Sequence, residues 1–332
     1  MWSGATSTSP SGPSLERSDA ARGNHSFAQG SIRRLRGALV SLGLGDVPMS
    51  ACRIAVANCK GGCGKTTTAV NLAAEIAARG YRTLLVDLDP QGQASLGRSR
   101  PERLAAVRDL PFGSRYGPQS VVRGVSGAPD LLPADGGFWP LPKAPRAEAL
   151  AEALAGVSEP YDVVIFDTPP AADLPLVAAL SAAHHVLTPT QLTPLSCDGV
   201  FRFAQVFFYV ATTINPGLRS FAISPTQVDL RIRMQQASLA RLNADFGAVH
   251  VLPGIRSDVA LAEAFGVGRP IRNFRPNTRG AADYVRLTDA IEAAWLGRAA
   301  RVRPNVSADQ AAYRSASRVQ DIGNERPRFL SS

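Results

Sequence analysis

Lysine is nearly missing from this chain. Of its 36 basic residues 33 are Arg, and Lys stands only at Lys60, Lys65 and Lys143. Cysteine is scarce too, four in 332 residues and three of them between Cys52 and Cys63. That usage excludes a disulfide framework and points to a reducing interior. No apolar run approaches the roughly 18 residues that a membrane-spanning helix needs, and the opening MWSGATSTSPSGPSLERSD has no apolar core of a secretory signal. With 45% hydrophobic and 19% charged residues, wholesale disorder is excluded and there is material for one large or two ordinary domains. The net charge of +9 implies an anionic partner without naming it.

The scarcity of lysine gives two positions weight. In a chain that otherwise uses Arg, Lys60 and Lys65 bracket one glycine run. Lys is a compact point charge on a flexible stem where Arg is a wide planar fork, so a small anion reached in a tight space is implied there.

Along the chain, residues 1–50 read as a flexible Ser-, Gly- and Pro-rich extension. It contains one short basic amphipathic stretch, Ser31–Leu44, with Ile32, Leu35, Leu39 and Leu42 near helical spacing. From Arg53 the pattern changes to alternating strands and helices, which predicts an α/β fold with a mostly parallel twisted sheet flanked by helices. Strands are expected at Arg53–Asn58, Arg82–Asp87, Asp162–Asp167, His185–Pro189, Arg219–Ser224 and Ala248–Pro253. The near-continuous apolar runs among them suit strands buried on both faces. Helices are expected at Thr66–Arg79, closed by Gly80, at Met234–Phe246 and at Ala281–Leu296. Beyond Gly297, residues 298–332 read as a flexible Arg-rich tail.

Lys60–Thr67 reads KGGCGKTT, a variant of G-x-x-x-x-G-K-[ST] between a predicted strand and a predicted helix. Glycines there let backbone N–H groups approach phosphate oxygens. Gly61, Gly62, Cys63, Gly64, Lys65, Thr66 and Thr67 are the expected nucleotide contacts. Lys65 would reach the β and γ phosphates, and the Thr66 hydroxyl would ligate Mg²⁺. Asp167, ending an apolar strand, suits outer contact with Mg²⁺. Asp87 and Asp89 follow another strand, where one can support the metal and the other can face the attacking water; phosphoryl transfer to water needs these parts together. Cys59 and Cys63 have no later C-x-x-C to complete a metal site, and His184 and His185 are adjacent and point apart.

KGGCGKTT resembles the deviant Walker A box, K-G-G-x-G-K-[ST], of the ParA/MinD ATPases. DLDPQG at Asp87–Gly92 resembles the family's D-x-D-P-Q-G box, and DTPP at Asp167–Pro170 its Walker B turn. Asn215-Pro216, TQVDLR at Thr226–Arg231, VALAEA at Val259–Ala264 and the segment Gly268–Tyr284 resemble later family segments, so that the likeness runs from about Arg53 to Leu296. It implies a P-loop ATPase over residues 51–297 that uses ATP and Mg²⁺, with Lys60 as the signature lysine reaching across an ATP-bound sandwich homodimer. Lys60, Lys65 and Asp89 then act in hydrolysis, and Thr66, Asp87 and Asp167 serve the metal. For adenine contact Asp258 is the candidate.

Within that family the D-x-D-P-Q-G box favours a ParA-type partition ATPase over a MinD-type membrane ATPase. So does the C-terminus, which has seven Arg from Arg298 onward but few large apolar residues, and Pro304 and Pro327 within it. No stable membrane association is expected, only non-specific DNA, a ParB-like partner that stimulates hydrolysis, and a cytoplasmic, nucleoid-associated location. A relative that positions a protein cargo on the nucleoid is the alternative. From Arg202 to Arg279 there are ten Arg against four acidic residues, and Arg suits phosphate contact. Arg231 matches a family DNA-contact position. The segment IRSDVALAEA, Ile255–Ala264, departs from the family's I-P-R-N-V-R-L-S-E-A: Ala260 replaces an arginine and Arg256 a proline. Either a rearranged DNA surface using Arg233, Arg256, Arg272 or Arg275, or a weaker affinity for DNA, is therefore expected. The first fifty residues hold too little apolar material for a helix-turn-helix, so operator binding is not expected.

Overall fold

A computed structural model describes residues 51–89, 91–94, 120–125, 127–134, 149–158, 160–170 and 174–297. The stretch Ser31–Leu44 and the tail 298–332 lie outside them.

Six strands form one sheet in the order β3-β2-β4-β1-β5-β6: β1 Cys52–Val56, β2 Thr83–Asp87, β3 Asp130–Leu132, β4 Val163–Asp167, β5 His185–Gln191 and β6 Ser220–Thr226. Every pairing is parallel. A parallel strand needs a crossover; among the described residues α1 Lys65–Ala78, α2 Ala149–Ser158, α3 Leu174–Ala182 and α4 Pro194–Thr213 lie between strands, and α5 Arg233–Phe246, α6 Val259–Gly266, α7 Ile271–Phe274 and α8 Arg279–Ile291 follow β6, the last continuing as a π-turn over Glu292–Leu296.

The strands are apolar on both faces because both are covered. In β1, Ile54 and Val56 join a core with α1, α6, α7 and α8, while Ala55 faces the core shared with α2, α3, α4 and α5. β4 splits the same way, Val163 and Ile165 to one side, Val164 and Phe166 to the other. The result is a three-layer, doubly wound sheet.

Register decides what this frame can do. Val56 pairs with Asp167 across β1–β4, and Asp87 pairs with Asp167 across β2–β4. The start of the glycine loop and two carboxylates therefore meet at one edge, the C-terminal end of the strands, where open α/β sheets bind ligands.

One expected strand is not formed. Ala248–Pro253 contributes a 3₁₀ turn, Ala248–His250, and a single parallel bridge from Val251 to Ile223. Gly247 at φ 89° and Pro253 bound the segment too tightly for a full ladder. The last helix starts two residues before the expected Ala281, because Thr278 caps it through the Ala281 N–H at 3.3 Å.

Candidate nucleotide site

β1 feeds the glycine loop and α1 leaves it at Lys65. Gly62 and Gly64 have φ of 70° and 89°, left-handed values that strain any residue with a Cβ. Gly64 is the N-cap of α1, with no side chain capping the helix. The N–H groups of the first turn are thus left for an outside acceptor, the arrangement that binds phosphate.

The loop is anchored by its carbonyls. Lys65 Nζ donates to Lys60 O at 3.1 Å, Gln191 Nε2 to Gly62 O at 3.3 Å, Thr226 Oγ1 to Cys63 O at 2.9 Å, and the Thr68 N–H to Gly64 O at 2.9 Å. Asn58 fixes the entry: its Nδ2 donates to Pro189 O at 2.8 Å and its Oδ1 accepts from the Lys60 N–H at 3.0 Å. Among the described residues no backbone carbonyl accepts from the N–H of Gly61, Gly62, Cys63, Gly64 or Lys65; the N–H groups of Cys63 and Lys65 face only the Cys63 sulfur, a weak acceptor. Lys65 is buried, and its ammonium has a neutral carbonyl where an anion would serve better. Thr66 and Thr67 follow in the first turn of α1, half-buried.

The acidic partners lie at the neighbouring strand ends. Asp167 is 0% exposed and neither carboxylate oxygen accepts a hydrogen bond. Burial, with Asp87 and then Asp89 adding repulsion, pushes its pKa well above the usual carboxylate range, against the lowering pull of the Thr66 hydroxyl and the Lys65 ammonium. A buried, unpartnered carboxylate is costly and fits a cation. Asp87 Oδ1 accepts from the Asp89 N–H at 3.1 Å, and Asp89 Oδ1 from the Gln91 N–H at 3.0 Å. Both residues are buried. Among the described residues no group of three His, Cys, Asp or Glu forms a metal cage. Mg²⁺ does not need one, since it keeps waters and takes phosphate oxygens beside one or two protein groups. Thr66, Asp87 and Asp167 fit that role.

Cys63 is buried, its Sγ donates to Lys60 O at 3.2 Å, and burial raises its pKa; it packs the loop and is no ready nucleophile. Lys60 turns its ammonium to Ser196 Oγ at 2.7 Å.

Away from the loop, Asp258 spends both carboxylate oxygens on backbone. Oδ1 accepts from the Ala260 N–H at 3.1 Å and Oδ2 from the Gly280 N–H at 2.9 Å, tying the starts of α6 and α8 together. The candidate arginines are distributed and mostly paired. Arg231 forks onto Asp229 at 2.7 Å and holds that carboxyl down to about 2. Arg256 chelates the fully buried Asp283 at 2.8 Å, and Arg286 meets the same carboxylate. Arg272 reaches buried Glu75 at 2.8 Å. Arg275 pairs with Glu263 at 2.9 Å and lies over the Phe274 ring. Arg233 is exposed and forms no ion pair with another described residue.

Gln191, Thr226 and Asn58 brace the loop backbone and Ser196 receives the Lys60 ammonium; sequence singled out none of the four as a site residue. Thr193-Pro194 was the available signal for Ser196: a capping residue followed by Pro starts a helix, and this one places Ser196 in its first turn.

The AAA domain family matches residues 51–220. The chromosome-partitioning ATPase Soj of Thermus thermophilus is 39% identical over 244 residues, covering 73% of this chain and 95% of the relative. The chromosome partitioning protein ParA of Caulobacter vibrioides is 31% identical over 243 residues, covering 70% and 91%. Among solved structures, cobyrinic acid a,c-diamide synthase from Mycobacterium smegmatis with bound ADP and magnesium superposes with a TM-score of 0.60 at 32% identity, covering 77% of this chain and 99% of that one. The glycine loop, the paired lysines and the strand-end carboxylates all lie within the matched residues 51–220, and the protein belongs to the ParA/Soj family of P-loop ATPases.

Proposed function

We propose that this chain is a DNA-partitioning ATPase. Its ATP-bound form is a sandwich homodimer that binds DNA without sequence preference, and a ParB-like partner stimulates hydrolysis and release. The observation that carries this reading is the convergence at one sheet edge of Lys60, Lys65, Asp87, Asp89 and Asp167, beside a helix start with unclaimed N–H groups.

In this reading the first turn of α1 and the loop N–H groups grip the phosphates, and Lys65 exchanges its own loop carbonyl for the β and γ phosphates. Mg²⁺, when bound, supplies charge neutralisation. Thr66 and the strand-end carboxylates hold its place. Asp89, with one oxygen fixed by the Gln91 N–H, orients the attacking water, and Lys60 reaches the partner's nucleotide. Exposed Leu195, Leu230, Ile232 and Met234 give the dimer apolar contact close to the site, since Leu195 precedes Ser196 and Leu230 follows the Gln227 turn that Gln191 holds at 3.0 Å. The protein works in the cytoplasm on the nucleoid. No helix among the described residues is long and apolar enough to cross a membrane.

The test is a salt titration of the ATP-bound protein on two unrelated duplexes, with anionic liposomes in parallel and hydrolysis measured with and without DNA. ATP-dependent, sequence-blind binding that falls steeply with salt is expected. Binding to liposomes alone overturns the partition reading in favour of a membrane role. Binding to neither leaves an ATPase whose cargo surface is a protein.

A further inference from the structure

Lys60 is stored in an unusual place. Its ammonium sits 2.7 Å from Ser196 Oγ, in the first turn of the 20-residue helix α4. The N-terminus of a long helix carries partial positive charge and disfavours a cation. Lys60 forms no ion pair among the described residues. A single hydroxyl holds it there. That hydroxyl is itself placed with care: Ser196 is 1% exposed, its Oγ lies 2.7 Å from Thr193 Oγ1, and its N–H donates to the same Thr193 oxygen at 3.2 Å. The capping residue of α4 thus presents Ser196 to the lysine. On the other side the Lys60 carbonyl is gripped by Lys65 Nζ at 3.1 Å and Cys63 Sγ at 3.2 Å.

We propose that Ser196 is a positioning residue for Lys60: it docks the ammonium in cis on the nucleotide-free protomer, and release of this contact gates assembly of the ATP dimer. This rests on the reading of Lys60 as the lysine that serves the partner's nucleotide. The trigger lies in the same loop. When phosphates draw Lys65 away from the Lys60 carbonyl, one of that residue's backbone tethers is lost. The ammonium is then held by one hydroxyl against the helix dipole, and an anion on the facing protomer outcompetes it. Nucleotide in cis and lysine in trans are coupled through the peptide of Lys60.

Two substitutions separate docking from a merely structural role, because they move the dimer in opposite directions. Ser196→Ala removes the acceptor but leaves the Thr193 cap on the backbone N–H. Ser196→Asp gives Lys60 an opposite charge at a helix start that favours one. With the full chain, ATP-dependent dimerisation is followed by analytical ultracentrifugation, and ATP affinity is measured at protein concentrations where the chain is monomeric. Ser196→Ala is expected to lower the dimer dissociation constant about threefold for each latch, about tenfold for the two, the scale of one net hydrogen bond per protomer. Ser196→Asp should raise it by at least as much, and both should bind ATP within about twofold of wild type. A dimer unchanged or weakened by Ser196→Ala overturns the proposal, even if the aspartate variant fails to fold. Equal shifts in the same direction by both variants also overturn it. A wild-type chain that forms no ATP dimer overturns instead the reading on which it rests, and is seen in the control arm alone.

Discussion

Asp167→Asn should make the nucleotide-free protein more stable while disabling it. Asp167 is 0% exposed, neither oxygen has a well-formed hydrogen bond although the Thr66 hydroxyl acts on the carboxylate, and Asp87 adds a second carboxylate beside it. At neutral pH the unliganded fold therefore carries a penalty of about 1–3 kcal/mol, the cost of an unsatisfied buried polar group. An amide keeps the shape and removes the charge. For a folded unit of this size each 1 kcal/mol moves the melting temperature by about 2–4 °C, so a rise of about 2–12 °C is expected. The pH dependence has a fixed sign. The folded-state pKa lies above the unfolded value, so the folded state binds the extra proton between the two. Wild-type stability then falls as pH rises from the ordinary carboxylate range toward the raised value, and Asp167→Asn should flatten that slope. With Mg²⁺ and ATP the order should reverse, because a carboxylate at this position can support the cation and an amide cannot. Differential scanning fluorimetry across pH, with and without Mg-ATP, reads all of this. A variant that melts below wild type without nucleotide, or gains equally from Mg-ATP, refutes the reasoning.

Lys65→Ala should weaken ATP binding about 10- to 100-fold, the value of a charge-assisted contact, in equilibrium binding of a fluorescent ATP analogue. Lys60→Ala should bind ATP as a monomer like wild type yet form no ATP dimer by light scattering; a normal dimer would remove Lys60 from the partner's site. Asp89→Ala should bind ATP and dimerise while hydrolysis falls by about 10²–10⁴-fold, the usual worth of positioned proton transfer. Arg231→Ala and Arg233→Ala should each reduce the slope of log K against log salt for DNA by about 0.9 and spare ATP-dependent dimerisation.

Five of the six strands and the loop chemistry were legible because their signals are local. A glycine run between an apolar run and a helical pattern, and carboxylates closing apolar runs, need no tertiary information to be read. β3 was missed because Asp130–Leu132 is only three residues long, too short for any period to show. Ala248–Pro253 was over-read because Val249, Val251 and Leu252 are β-formers by type, yet turn geometry at Gly247 decides the backbone. Ser196 and Gln191 were out of reach for another reason. They contact Lys60 and Gly62 across 136 and 129 positions of sequence, and only the β1–β5 pairing brings those segments together.

The arginine excess was equally visible in sequence, but its availability was not. A formal charge attracts DNA only if no carboxylate already holds it more cheaply. Arg231 and Asp229 form an exposed pair, with the Arg side chain 89% exposed, and such pairs contribute only about 0–1 kcal/mol, so a phosphate can take the guanidinium over at little cost. Arg256 is different. Its partner Asp283 is fully buried and accepts its N–H and guanidinium together. Arg272 likewise covers buried Glu75, whose pKa burial raises and Arg272 lowers. Withdrawing Arg272 takes the paired cation from buried Glu75, and withdrawing Arg256 leaves buried Asp283 with Arg286 as its remaining ion-pair partner among the described residues; both changes are destabilising, so a loss of DNA binding in those variants would report folding as much as contact. Arg231 and Arg233, flanking Ile232 at the start of α5, are the positions where charge can be removed without that confusion. A DNA surface in this protein is therefore best sought there, on the same loop that Gln191 ties to the nucleotide site.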